Sequence, residues 1–227
     1  MELSRNVSLR EIFEAKNLAM VMIYISTKSK AETLSKDLIL LLHKMLIENI
    51  NEKIAGRFRS RGEYVKIGTH IAPSPQQIEE MISNILVEYS SNQNSYFLDK
   101  IAKFHLDFET IHPFNDGNGR IGRVFTNYQL FGLGFPAVII RNKEKLNYNI
   151  SFNDYQISKT TRPMEKILAL ALIESLHKRI AYLRDFKIIP LSEYVKKSGK
   201  SASSVFNLAK RQTIPAFREK GVWKIGV

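Results

Sequence analysis

One segment, between residues 112 and 123, combines the residue types needed to bind an anion and to move a proton. It consists of His112-Pro113-Phe114-Asn115-Asp116-Gly117-Asn118-Gly119-Arg120-Ile121-Gly122-Arg123. Gly117 and Gly119 allow a tight bend in which consecutive backbone N–H groups converge. The helical pattern that follows directs its positive end to the same point. The segment therefore predicts a phosphate-binding loop.

Four side chains of this loop indicate what would happen to a bound phosphate. Arg120 and Arg123 are three positions apart on the first helical turns, where two guanidinium groups could clamp a polyphosphate. Asp116 suits a divalent ion such as Mg²⁺ that shares its coordination with phosphate oxygens. His112, as a neutral imidazole, could accept a proton from an incoming hydroxyl group. Together they predict phosphoryl or nucleotidyl transfer.

Each of these features also has a structural explanation when it is taken alone. A histidine after an apolar helix is more often a packing residue, and Asp-Gly-Asn-Gly is good turn chemistry anywhere. Arginine pairs on helices are usually solvated. A turn does not need a base, a carboxylate, glycines and two spaced arginines together, so their adjacency favours function.

The same segment resembles the signature of the Fic family, His-Pro-Phe-x-Asp/Glu-Gly-Asn-Gly-Arg-x-x-Arg, and matches it at every fixed position. The resemblance implies transfer of AMP from ATP to a protein hydroxyl group, with release of pyrophosphate. It implies that His112 is the general base, that Asp116 binds Mg²⁺ and that Phe114 anchors the loop. The residues that it implies as nucleotide contacts are Gly117, Asn118, Gly119, Arg120 for the β-phosphate and Arg123 for the γ-phosphate.

The resemblance extends from about residue 9 to residue 185 and includes two further functional segments. Gly56–Arg59, Ile67-Gly68 and Ala72-Pro73 fall where Fic proteins carry a flap that positions the target, and Tyr148 falls where they commonly carry an aromatic residue beside adenine. An extended flap would hold a target segment by strand-like pairing. The residues expected to hold a target protein with a Tyr, Thr or Ser hydroxyl are Lys66, Ile67, Gly68 and Thr69.

A related branch, the Doc-like proteins, carries Ala-Asn-Lys at the positions of Gly117-Asn118-Gly119 and transfers phosphate. The glycine form in this chain favours AMP transfer, although it does not fix the nucleobase.

Many Fic proteins are inhibited by a helix with Ser/Thr-x-x-x-Glu followed by Gly or Asn, and none of the sixteen Glu residues of this chain is a convincing match. We therefore expect no intramolecular brake. Either an upstream segment has been lost, which the pattern at 14–17 favours, or a separate inhibitory protein supplies the brake.

Helical spacing of apolar residues dominates the chain and predicts a mainly α fold. In line with the resemblance, the expected architecture is a Fic helical bundle with a small β-hairpin flap. Alternating residues at Gly56–Arg59 and Tyr64–Gly68 predict the hairpin. The predicted helices cover Leu9–Ile25, Leu34–Ile50, a stretch from Ser74, Leu98–Phe108, Ile121–Phe131, about 147–158 and about 164–185.

The composition changes after Lys187, which predicts a Fic domain with an N-terminal helical extension over 1–186 and a separate module over 187–227. This module resembles the small winged helix-turn-helix domains of excisionase and MerR-like proteins. The residues that this resemblance directs toward DNA are Ser203, Ser204, Asn207, Lys210 and Arg211. The alternative is a docking module for a target or a neighbouring subunit.

Composition excludes several classes of protein. With no Cys, the 227-residue chain has no disulfide, thiolate zinc site or cysteine nucleophile. The apolar run Ile167–Ile173 is far too short to cross a membrane, and the N-terminus lacks a secretion signal, so we expect a cytoplasmic protein without a membrane partner.

The net charge is +12, and residues 187–227 carry nine Lys or Arg against two Glu, a net +7. More than half of the net positive charge therefore lies in residues 187–227, and it indicates an anionic partner for that segment. A rival hypothesis is a DNA-binding regulator whose Fic fold only senses nucleotide. A sensor would need the arginines and glycines of the loop but not His112.

Overall fold

The computed structural model describes residues 7–30, 33–68, 70–92, 94–141 and 145–227. Contacts divide the chain into two units, one of Met1–Leu133 with Phe152–Thr161 and the other of Gly134–Ser151 with Arg162–Val227. The elements, in chain order, are α1 Leu9–Lys28, α2 Lys36–Ile47, β1 Lys66–Ile67, β2 His70–Ile71, a 3₁₀ turn Pro75–Gln77, α3 Ile78–Ser91, α4 Phe97–Ile111, α5 Asn118–Gly132, α6 Lys145–Ser158, α7 Arg162–Leu183, β3 Ile188–Pro190, α8 Leu191–Ser198, α9 Ala202–Lys210, β4 Ala216–Glu219 and β5 Val222–Gly226.

Local sequence explains where the first helices of unit 1 begin. Ser8 forms a capping box with Glu11 at the start of α1, and Ser35 caps α2 through the N–H of Leu38. Apolar residues then recur at helical spacing, and these faces meet in one core that contains fully buried Leu42 and Phe108. Burial of these faces is the main force that holds α1 to α5 together.

The mainly helical fold is confirmed, and the predicted hairpin lies in a slightly different place. β1 and β2 pair antiparallel, with Lys66 opposite Ile71 and Ile67 opposite His70. The prediction that Gly56–Arg59 forms one strand of this hairpin was wrong, because these residues are not part of a strand. Instead, the backbone N–H of Arg59 donates to the carbonyl oxygen of Pro113 at 2.9 Å, which joins this segment to the loop.

In unit 2, helix α7 packs against the strands that end the chain. The sheet has the order β3-β5-β4 and is antiparallel throughout. Glu174 of α7 forms a salt bridge with Arg218 of β4 at 2.6 Å, and Lys178 forms one with Glu219 at 2.8 Å. The boundary between residues 186 and 187 and the winged helix-turn-helix assignment both stay predictions. Within the described part of the chain, none of the helices is long and apolar enough to cross a membrane.

Candidate active site

His112 ends helix α4 in a left-handed conformation, with φ 50° and ψ 61°. A residue other than glycine seldom adopts this conformation, and here it directs the chain sharply into the loop. The Nδ1 atom lies 3.3 Å from the carbonyl oxygen of Glu109, which favours a proton on Nδ1 and a free lone pair on Nε2. Burial, aided by the positive charge of Arg59, lowers the pKa of His112 to about 4. The ring is therefore neutral near pH 7, as a general base requires.

The core and an internal clamp hold the loop in shape. Phe114 is fully buried, which confirms that it anchors the loop. The side chain of Asn118 accepts a bond from the N–H of Phe114 at 2.9 Å and donates to its carbonyl oxygen at 2.7 Å. Its contribution to a phosphate would thus come from its backbone N–H, in the first turn of α5, where such groups have no partner within the helix.

Gly117 is left-handed, with φ 85°, and precedes α5 as its N-cap. An added Cβ there would lie 3.0 Å from Ile47, so both the conformation and the space favour glycine.

His43 supports the loop from helix α2. Its ring stacks on Phe114 with centroids 3.6 Å apart and planes 6° apart. Gly56 N–H donates to its Nδ1 at 3.1 Å, which leaves Nε2–H to donate to the carbonyl oxygen of Asp116 at 3.0 Å. Burial lowers the pKa of His43 to about 4, so the ring stays neutral and both bonds persist near pH 7.

Asp116 and Arg120 lie together at the mouth of the loop, and helix α1 contacts both. Arg120 is 3.1 Å from Asp116 and 3.0 Å from Glu14 of α1, while Arg10 of α1 is 2.5 Å from Asp116. Burial alone would raise the pKa of Asp116, but Arg120, the Gly117 N–H and Arg10 outweigh it and hold the pKa below its ordinary value. The structure therefore pairs the expected metal ligand and the expected β-phosphate arginine with each other and with α1.

A magnesium ion would have Asp116 as its protein ligand here. Within the described ranges, no group of three or more Asp, Glu, His or Cys side chains could hold a metal alone. A single partly exposed carboxylate beside a phosphate-binding helix end nevertheless suits Mg²⁺, which takes one or two carboxylates and completes its coordination with phosphate oxygens and water. The donor set fits a metal that arrives with a nucleotide.

The sequence placed Arg59 in the flap segment but did not reveal its role in holding the site together. Its side chain is almost fully buried and donates to four carbonyl oxygens, those of His112 at 2.8 Å, Glu63 at 2.9 Å, Pro73 at 3.0 Å and Ile111 at 3.4 Å. Glu63 precedes β1 and Pro73 follows β2. One guanidinium therefore joins both ends of the flap to the end of α4, where His112 lies.

The flap residues lie where a target chain could reach them. Lys66, Ile67 and Gly68 are exposed, and His70 ties the flap to α4 by donating from Nε2 to the carbonyl oxygen of Thr110 at 2.9 Å. The prediction for Thr69 falls outside the described residues.

The remaining predicted residues belong to unit 2. Tyr148 is half-buried in α6, and its carbonyl oxygen accepts a bond from Ser151 at 2.6 Å. The five residues expected to face DNA are all exposed on or just after α9: Ser203, Ser204, Asn207, Lys210 and Arg211. We call these five residues the α9 face.

Comparison with known proteins finds relatives in both sequence and fold. Residues 33–130 match the model of the Fic/DOC family. A Protein adenylyltransferase Fic from Nematostella vectensis is 29% identical over 189 residues, which cover 81% of this chain and 43% of that protein. A probable protein adenylyltransferase from Aquifex aeolicus is 33% identical over 52% of this chain and 36% of its own length. The chain thus spans less than half of each of these curated relatives.

The fold is also shared with solved structures. Fic-1 from C. elegans superposes with a TM-score of 0.69 at 23% identity, over 82% of this chain and 55% of that one. A Fic domain containing signaling protein from Bacteroides thetaiotaomicron superposes with a TM-score of 0.64 at 22% identity, over 75% of each chain. The helical unit that carries the loop is therefore similar in sequence to the Fic/DOC family and similar in fold to solved Fic structures.

Proposed function

We propose that this protein is a protein adenylyltransferase, which transfers AMP from ATP to a Tyr, Thr or Ser hydroxyl group of a target protein. The observation that carries the proposal is the juxtaposition of a neutral His112 with the N-terminus of α5 and the pair Asp116 and Arg120. The names of the relatives from Nematostella vectensis and Aquifex aeolicus support the same activity.

In the proposed reaction, the target hydroxyl oxygen attacks the α-phosphorus of ATP and its proton passes to Nε2 of His112. The bond from that phosphorus to the bridging oxygen breaks, and pyrophosphate leaves with the electron pair. Positioning and charge stabilisation dominate such a step. Backbone N–H groups at Gly117 to Gly119 would bind phosphate oxygens, and Arg120 and Arg123 would hold the β- and γ-phosphates.

Mg²⁺, when bound, would neutralise charge on the phosphate oxygens beside Asp116. The flap would hold the target by adding a strand to β1 or β2, with Lys66, Ile67 and Gly68 facing it. Tyr148 would lie beside adenine. The existence of a separate protein that inhibits the enzyme stays a prediction.

The test is incubation of the protein with ATP, Mg²⁺ and bacterial lysate, followed by mass spectrometry for proteins that gain an adenylyl group. His112→Ala should slow this gain by about 10²–10⁴-fold, because a positioned general base contributes that much. His177→Ala is the matched control, because His177 and its partner Gln212 both belong to unit 2, whereas His112 belongs to unit 1. A mass gain that is absent from every protein, or unchanged in His112→Ala, would contradict the proposal.

We propose a second function, DNA binding, for residues 187–227. The observation that favours it is the α9 face, where Lys210 and Arg211 follow three exposed polar residues. This segment also carries net charge +7, from nine Lys or Arg and two Glu. Phosphate contacts would dominate such binding and make it fall steeply with salt. The affinity for a DNA duplex at several salt concentrations tests this proposal.

A further inference from the structure

A carboxyl group that the reaction above does not use lies beside the expected base. Glu109 is on α4, three residues before His112, and its side chain is only 10% exposed. Its Oε1 atom is buried and has no hydrogen-bond partner among the described residues. A carboxyl oxygen that is buried without a hydrogen bond costs free energy, so its presence in a folded protein calls for an explanation.

The position of this carboxyl group relates it to two site residues. Its Oε2 atom is 3.8 Å from Nδ1 of His112. Its Oε1 atom lies against the first turns of α5, only 2.5 Å from where a Cβ atom of Gly122 would be, so glycine at 122 makes room for it. The positive charge of Arg123 also acts on Glu109. The carboxyl group thus has the expected base on one side and the second phosphate arginine on the other.

We propose that Glu109 is a positioning residue for the transfer step, whose carboxylate, 3.8 Å from Nδ1, stabilises the positive charge that the ring of His112 gains when it takes the hydroxyl proton. This inference rests on the proposed adenylyl transfer. The backbone carbonyl of Glu109 already orients the ring and leaves Nε2 as the acceptor, and a negative charge close to Nδ1–H favours the protonated form of the ring. A neutral amide of the same shape would fill the same space but would not stabilise the imidazolium.

The ionisation of Glu109 makes this role dependent on pH. Burial raises the pKa of Glu109 to about 7, against the opposing effect of Arg123. Three charged or titratable groups lie around Glu109: Arg123, His105 and His112. The positive charge of Arg59 and the ring of His70 in turn act on His112. Glu109 is neutral below about pH 7 and charged above it, so AMP transfer should increase as pH rises through this value. His112 alone, already neutral above its own pKa of about 4, predicts no such step.

The first experiment measures AMP transfer by the full chain between pH 5.5 and 8.5, with ATP labelled at the α-phosphate. Glu109→Gln should lose the rise near pH 7 and be slower than the unmodified protein by about 10-fold at pH 8, as is typical when the partner of a functional histidine is removed. Glu109→Asp should keep a rise with pH. Glu79→Gln, at a largely exposed position on α3, is the matched control and should reproduce the unmodified profile. A flat profile in the unmodified protein, or a rise retained in Glu109→Gln, would overturn the proposal.

The second experiment does not depend on activity. In protein labelled with ¹⁵N-histidine, the ring resonances of His112, assigned through His112→Ala, should shift near pH 7 in the unmodified protein and in Glu109→Asp. The shift should be absent in Glu109→Gln. If no AMP transfer is found at all, the proposed function fails while this titration still decides the role of Glu109. A His112 shift near pH 7 that persists in Glu109→Gln would refute it.

Discussion

The loop at residues 112–123 and the α9 face both present positive charge, but the protein holds these charges in different ways. At the loop, Arg120 is only 17% exposed and lies 3.1 Å from Asp116, in a segment whose Phe114 is fully buried. On the α9 face, Lys210 and Arg211 are exposed to solvent. The loop has fixed positions for its charged groups, as a chemical step requires. The α9 face presents its charge at exposed positions, which suits the proposed contacts to a nucleic-acid backbone.

The largest expected effect comes from replacing one buried aromatic ring in each unit, because both variants should lose stability but only one should lose affinity for ATP. Phe114 and Phe217 are both fully buried, and Phe→Ala typically costs about 3–5 kcal/mol of stability. We expect each variant to lower the free energy of unfolding by this amount in urea titrations. Only Phe114→Ala should also weaken ATP binding, measured by calorimetry at a temperature where both variants are folded. Equal loss of ATP affinity in Phe217→Ala would mean that the loop depends on unit 2.

The two arginines of the flap segment provide the next test. Arg59→Met removes bonds to four carbonyl oxygens near His112, so we expect the free energy of unfolding to fall by about 3 kcal/mol and AMP transfer to fall with it. Arg57→Met removes a partly exposed salt bridge to Glu63 and should cost about 0–1 kcal/mol. Urea titrations of the two variants check this difference. Similar costs for both would show that Arg59 does not join the flap to the loop.

Acid should destabilise the loop before it affects the α9 face. Burial lowers the pKa of His43 in the folded chain to about 4, while its ordinary value is 6.5. Between these values the unfolded chain binds more protons, so the stability that neutral His43 contributes is complete above pH 6.5 and is lost as pH falls toward 4. The expected loss is about 1.4 kcal/mol per pH unit.

Urea titrations between pH 4.5 and 7 measure this effect. His43→Gln should reduce the slope of stability against pH by about 1.4 kcal/mol per pH unit, the contribution of one proton. A slope that is the same in His43→Gln would refute the assignment. His105 and His112, whose pKa values burial also lowers to about 4, should keep the remaining slope steep.

Breaking the contact of α1 with the loop should change stability less than the substitutions above, because the side chains in this contact are more exposed. The Arg10 and Asp116 side chains are 58% and 36% exposed, so Arg10→Ala should change stability by less than about 1 kcal/mol. It should raise the affinity for ATP with Mg²⁺ a few-fold, because Asp116 no longer pairs with Arg10. Lys36→Ala, which removes the surface pair with Glu79, is the matched control for calorimetry. Lower ATP affinity in Arg10→Ala would mean that Arg10 assists binding.

The contrast between the two regions also explains what the sequence could predict. The loop was predictable because its functional groups are contiguous and a glycine-rich turn brings them together. The partners of Arg59 could not be predicted, because they are backbone carbonyl groups up to 53 residues away, and no pattern of side chains indicates them. The pairing of Arg10 with Asp116 joins residues 106 positions apart. Alternation over Gly56–Arg59 was misinterpreted as a strand because four residues are too few to distinguish a strand from an irregular segment.

The smallest expected effect on catalysis belongs to the α9 face. A double variant, Lys210→Gln with Arg211→Gln, should leave AMP transfer unchanged and stability within about 0.5 kcal/mol, because both side chains are exposed. Its affinity for a DNA duplex should fall, and the slope of log affinity against log salt should decrease by about two, because two phosphate contacts are lost. Lys16→Gln with Lys53→Gln, exposed positions of unit 1, is the charge-matched control. Equal DNA affinity for both double variants would instead favour a docking role for residues 187–227, since their charge would then be solvated without binding a nucleic acid.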